Sequence, residues 1–90
     1  MKTDPKKPFL DDLEKITNKK VRSEINQAVL AVQEAQTVRN IPQLRKLKGY
    51  KAGIYYRIRV RRYRIGITIV GDLVTLARCL PKKDFYKHFL

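Results

Sequence analysis

Two runs of strict alternation dominate the chain. In the first, Tyr56, Ile58 and Val60 fall on one side, and Arg57, Arg59 and Arg61 on the other. In the second, Tyr63, Ile65, Ile67 and Ile69 share a side opposite Arg64, Gly66 and Thr68. A period of two over this length predicts half-buried antiparallel strands, here at about 54–61 and 63–70. The turn at Arg61 and Arg62 lacks the Gly or Asn of a tight hairpin, so its type is not fixed by the sequence. Gly71-Asp72 reads as a two-residue hairpin turn into a third strand at 73–80. That strand places Leu73, Thr75, Ala77 and Cys79 on one face and Val74, Leu76, Arg78 and Leu80 on the other. Its first half is apolar on both faces, as expected of a central or helix-covered strand, and Pro81 ends it. Residues 83–90 predict a short helix or an extended tail.

The first half of the chain has helical periodicity. Asp4 before Pro5 offers a helix start, and Phe9, Leu10, Leu13 and Ile16 follow with helical spacing. Asn18, Lys19 and Lys20 read as the closing turn. Val21, Ile25, Ala28, Val29 and Val32 then form one apolar stripe, which fades near 35–38. Two helices joined by a short turn predict an αα-hairpin seeking a sheet. The stretch 40–53 reads as a connection punctuated by Pro42, Gly49 and Gly53. Leu44 and Leu47 are expected to pin it to the core, with Arg45, Lys46, Lys48 and Lys51 facing water. The expected fold class is α+β. An N-terminal helical hairpin packs on a small antiparallel sheet of three to four strands, with a short C-terminal helix, all within a single domain spanning 1–90.

Charge gives this pattern a direction. Lys and Arg number 21 against 8 Asp and Glu, for a net charge of +13. Residues 1–34 are nearly balanced, whereas 35–71 carry ten basic residues and no acid. A polyanion is the natural partner for such a block. An anionic membrane fits less well, because the block is strand-like and not an amphipathic helix. A single cysteine, Cys79, permits no internal disulfide and agrees with a cytoplasmic location. The first residues show no apolar signal segment, and no run approaches membrane-spanning length. One Cys and one His provide no metal-ligand cluster, so no metal and no small-molecule cofactor are expected.

The run from Leu44 to Phe89, LRKLKGYKAGIYYRIRVRRYRIGITIVGDLVTLARCLPKKDFYKHF, resembles the C-terminal half of RelE/ParE-superfamily toxins. It carries an LKG segment, YxIRV, YRI followed by alternating isoleucines, a VTLxR strand and a KDFY ending. The resemblance implies a small α+β toxin of a bacterial toxin–antitoxin pair. RelE-like members cleave messenger RNA on the ribosome, and ParE-like members act on DNA gyrase. The family's first strand, which precedes the first helix, is expected to be absent or very short here. That would leave a sheet edge exposed for a partner.

Metal-free RNA cleavage removes a proton from the 2′-hydroxyl, neutralises the developing phosphorane charge and protonates the leaving 5′-oxygen. Carried over by motif, the resemblance assigns Arg57, Arg59 and Arg64 to the scissile and flanking phosphates. It assigns Lys82 or Lys83 to the leaving oxygen, and Tyr86 to the 2′-hydroxyl or to stacking on a base. Arg57 and Arg59 stand where the best-known relative has lysines, and arginine does not give up its proton. His88, the single histidine, is a candidate general base by residue type, but it reaches Tyr86 only if the tail is extended or curls back. Arg45, Lys46, Lys48, Lys51, Arg61, Arg62, Lys83 and His88 are candidate RNA contacts. The plainer readings are a solvated arginine face, tyrosines as sheet packing and Cys79 as a small buried residue. The expected partners are a small acidic antitoxin, mRNA and the ribosome. The alternatives are a gyrase inhibitor and an inactive, truncated toxin that only binds antitoxin or RNA.

Overall fold

The alternating stretch forms the middle of a sheet. In a computed structural model, which describes residues 1–48 and 53–89, the elements begin with β1 (Lys2–Pro5), α1 (Lys7–Glu14) and α2 (Lys19–Glu34). A 3-10 turn at Val38–Asn40 leads to β2 (Leu44–Lys46), β3 (Tyr55–Val60), β4 (Tyr63–Val70), β5 (Leu73–Pro81) and α3 (Lys82–His88). The sheet order is β1-β5-β4-β3-β2. β2 to β5 are antiparallel neighbours, and β1 lies parallel to β5. The expected three to four antiparallel strands are therefore five strands in a mixed sheet. The C-terminal segment is helical, not an extended tail.

The first strand, expected to be absent or very short, is present. It pairs Lys2 with Leu73 through Pro5 with Leu76. The Lys2 N–H donates to Asp72 O at 2.9 Å and the Lys6 N–H to Leu76 O at 3.0 Å. The Met1 amino group donates to Val32 O at 3.1 Å and Ala35 O at 2.7 Å, tying the strand to the end of α2. β1 thus covers the Leu73–Leu76 edge of β5, and the outer strands are β1 and the three-residue β2. Asp4 lies in this strand and pairs with Lys6 at 2.8 Å; it does not cap a helix. α1 instead starts at Lys7 with Pro8 in its first turn, where a missing N–H costs nothing. Asn18 likewise opens α2 and does not close α1. Its side chain accepts from the N–H groups of Lys20 at 3.0 Å and Val21 at 3.1 Å, satisfying two otherwise orphaned donors.

One face of the sheet carries the core. Phe9 and Ile16, with Ile25 and Val32 of α2, pack on Ile58, Val60, Ile65, Ile67, Ile69, Val74, Leu76 and Cys79. Leu44, half-buried, joins this cluster from β2. The faces expected for β5 do not persist along its length. Ile65 pairs with Cys79 but Ile67 with Leu76, so the register shifts at Gly66/Ile67 and Ala77 stands outside it. One extra residue in a strand reverses its alternation, and Val74, Leu76 and Cys79 thus all reach the core.

Beyond that shift, the Asp12 carboxylate of α1 accepts the Cys79 N–H at 2.9 Å. It also accepts Arg78 Nε at 2.8 Å and Nη2 at 3.0 Å. The hydrogen bond to Asp12 holds the Arg78 guanidinium above its ordinary range. Burial, with the Asp12 charge adding to it, pushes the Cys79 thiol up to about 12. Thiolate is the reactive form, so native protein at pH 8 is expected to ignore Ellman's reagent and to react fully once denatured. Rapid native labelling would contradict this burial.

Candidate nucleic-acid interface

The opposite face of the sheet holds the arginines. Register places Arg57 between Arg45 on β2 and Gly66 on β4, and Arg59 directly opposite Arg64. Directly paired strand residues lie about 5 Å apart, and like charges in that position destabilise a sheet. Among the described residues no carboxylate lies within salt-bridge distance of Arg57, Arg59 or Arg64. Arg64 is only 7% exposed. Burial lowers its pKa first, then the neighbouring Arg57 charge, with the Tyr86 hydroxyl opposing and Arg59 adding to the shift. It remains charged, because arginine starts so high. Its Nη1 donates to Arg61 O and Tyr63 O, both at 2.9 Å. Arg57 Nη1 donates to Gln43 O at 3.0 Å, and Arg59 Nη2 to Gln43 Oε1 at 3.0 Å. The Nε groups of Arg57 and Arg64 are buried with no hydrogen-bond partner among the described residues.

α3 closes this face from one side. Gly66 makes room for it, since a Cβ there would come within 2.5 Å of the Phe89 ring and 2.8 Å of the Phe85 ring. Phe85 and Phe89 stack at 4.9 Å between centroids, and Tyr55 meets Phe89 edge-on at 6.0 Å. With Phe85 buried against the sheet, helical spacing sorts the remaining side chains. Lys82 and Tyr86 share one side, where the Tyr86 hydroxyl interacts with Arg64. Asp84 and His88 share another and line a cleft of about 560 Å³ with Asp12, Lys15 and Arg78.

The structure thus brings together Arg57, Arg59, Arg64 and Tyr86, with Arg45 beside Arg57 and Lys82 one turn from Tyr86. His88 is not among them, because the tail is a helix and residues two apart point to different sides. Arg61 occupies the hairpin turn with φ +55° and swings away to pair with Glu24 of α2. Its Nη2 lies 3.0 Å from Glu24 Oε1. Arg62 lies over the Tyr63 ring, 5.5 Å from its centroid. Lys46 pairs in register with Tyr56 on the core side of the sheet. Lys48 and Lys83 are exposed, and Lys51 falls outside the described residues. Sequence reasoning missed Gln43 and Asp12. Both act on partners distant in the chain, and neither belongs to a periodic pattern. Among the described residues no group of three or more His, Cys, Asp or Glu is placed to hold a metal ion, and no helix is long and apolar enough to cross a membrane.

A five-stranded mixed sheet with an arginine face beside a tyrosine-bearing helix is an architecture shared with toxin chains of toxin–antitoxin complexes. No protein-family model matches the chain. It is 34% identical over 84 residues to Toxin RelE3 of Methanocaldococcus jannaschii, covering 92% of each chain, and it belongs to the RelE family of toxins. The toxin chain of the RelB-RelE antitoxin-toxin complex from Methanococcus jannaschii superposes with a TM-score of 0.79 at 32% identity. That match covers 97% of this chain and 99% of the other. The YoeB dimer from Staphylococcus aureus (TM-score 0.71, 19% identity) and the intact E. coli RelBE toxin-antitoxin complex (0.68, 19%) share the fold, each covering 89% of this chain and 94% of theirs.

Proposed function

We propose that this toxin is an endoribonuclease that cleaves mRNA on the ribosome and is silenced by an acidic antitoxin. The observation that carries this reading is the uncompensated arginine cluster. Among the described residues, three guanidinium groups share one sheet face with no carboxylate in salt-bridge range, and two of their buried Nε donors lack partners. An unsatisfied buried donor costs about 1–3 kcal/mol. Phosphate oxygens would offset the mutual repulsion of the three groups, and the guanidinium fork matches them bidentately. Arg57, Arg59 and Arg64 take the scissile and flanking phosphates and stabilise the charge of the phosphorane. Lys82, on the same side of α3 as Tyr86, serves the leaving 5′-oxygen. Tyr86, about half exposed, orients the 2′-hydroxyl or stacks on a base. Arginine exchanges no proton near neutrality, so the cluster contributes positioning and electrostatic stabilisation.

The related RelE chains from Methanococcus jannaschii and E. coli are found in complexes with antitoxins. An acidic antitoxin segment laid over the same arginines would compete with RNA, with an affinity that falls as salt rises. β1, whose expected absence motivated the reading as an inactive, truncated toxin, pairs with β5. The test is to add the purified protein to translating ribosomes and map mRNA 5′ ends. New ends within the reading frame are the expected result. Intact message together with inhibited gyrase supercoiling would reject the nuclease in favour of a gyrase inhibitor.

A further inference from the structure

Gln43 sits between Pro42 and β2 and adopts φ +60°. A non-glycine side chain in the left-handed region is disfavoured, and such strain persists where surrounding contacts determine it. Here the contacts are specific. The Gln43 carbonyl accepts both Arg57 Nη1 at 3.0 Å and the Arg59 backbone N–H at 3.3 Å. Its side-chain Oε1 accepts Arg59 Nη2 at 3.0 Å. One residue thus fixes two arginines that lie two positions apart on β3.

We propose that Gln43 is a positioning residue that orients Arg57 and Arg59 for an RNA phosphate while leaving both charges unneutralised. This rests on the endoribonuclease reading and deepens it. The chemistry favours an amide over the obvious alternative. A carboxylate at the same place would hold Arg59 more firmly, because charge-assisted bonds are stronger. It would also neutralise the charge that the phosphate must meet. A neutral acceptor constrains the guanidinium and leaves its positive charge for the ligand. Two flexible arginines without such a brace would lose rotamer entropy on each binding event. The left-handed backbone is part of the device, since the carbonyl and the side chain of the same residue both serve the pair.

Two variants separate this role from a purely structural one. Gln43→Gly keeps the carbonyl and suits the positive φ, so the thermal midpoint should hold or rise while cleavage falls about tenfold, chiefly in kcat. Gln43→Glu keeps the shape and adds a charge. Its affinity for a short fluorescein-labelled single-stranded RNA should fall about tenfold at low salt. The slope of log affinity against log salt should become shallower by about 0.7, the value of one lost phosphate contact on a single strand. A Gln43→Glu protein within twofold of wild type in affinity, slope and cleavage would overturn the role of Gln43 alone. A wild-type protein that neither binds nor cleaves RNA would overturn the nuclease reading, and the RNA-directed role of Gln43 would fall with it.

Discussion

Replacing Asp12 with alanine is expected to remove about 3–5 kcal/mol of stability, the usual cost of breaking a buried ion pair by deleting one partner. Asp12 is 4% exposed and satisfies three donors at once: two of Arg78 and the Cys79 N–H. Its removal leaves a half-buried guanidinium unpaired and a buried backbone donor without an acceptor. It also unfastens α1 from the shifted half of β5, on which the first helix packs. A small domain has about 5–15 kcal/mol in total, so urea denaturation should show a much lower midpoint and some unfolded protein at 37 °C. Asp12→Asn, which keeps one acceptor oxygen and the shape, should lose clearly less. A loss below 1 kcal/mol for the alanine variant would mean that Asp12 does not clasp α1 to β5.

That clasp illustrates what the sequence conceals. Asp12 and Arg78 are 66 positions apart, and nothing local to either marks the pairing. The alternating run from Tyr56 to Ile69 was legible because apolar residues recur at every second position, so periodicity alone recovers its elements, although α3 also covers Arg64 and Gly66 on the opposite face of β4. β1 was not, since three polar residues and a proline at an edge are recruited by backbone pairing to β5, which leaves no apolar signature. In β5 a count of twos puts Leu76 and Cys79 on opposite faces, but the extra residue at Ala77 brings both to the core, and a bulge is invisible to such a count. Asn18 stood between two helical patterns and fitted either as a stop or as a start. The arginines of the candidate site were legible through their motifs, and β3–β4 pairing placed them together. Tyr86 joined them because α3 docks on Gly66. His88 went to the other side of α3 because a helix turns about 100° per residue.

Arg64→Met is expected to reduce mRNA cleavage by about 10²–10³-fold, the range for removing one preorganised stabiliser of transition-state charge, with little change in folding stability. Two opposing effects keep the stability change small. The variant loses the Nη1 bonds to Arg61 O and Tyr63 O, worth about 1.5–3 kcal/mol each at most for a charged donor. It also relieves a buried Nε that has no partner among the described residues, together with the burial and the repulsion from Arg57 and Arg59 that lower the Arg64 pKa. A midpoint shift of a few degrees with a loss of activity of two or more decades would place Arg64 in the chemistry. Arg64→Lys restores the charge without the fork, so it should recover RNA affinity more than turnover, a split that a folding defect cannot produce. Activity that falls only in proportion to the unfolded fraction would make Arg64 a brace for the Arg61–Arg62 turn. The cluster would then lose its most buried member as a phosphate ligand.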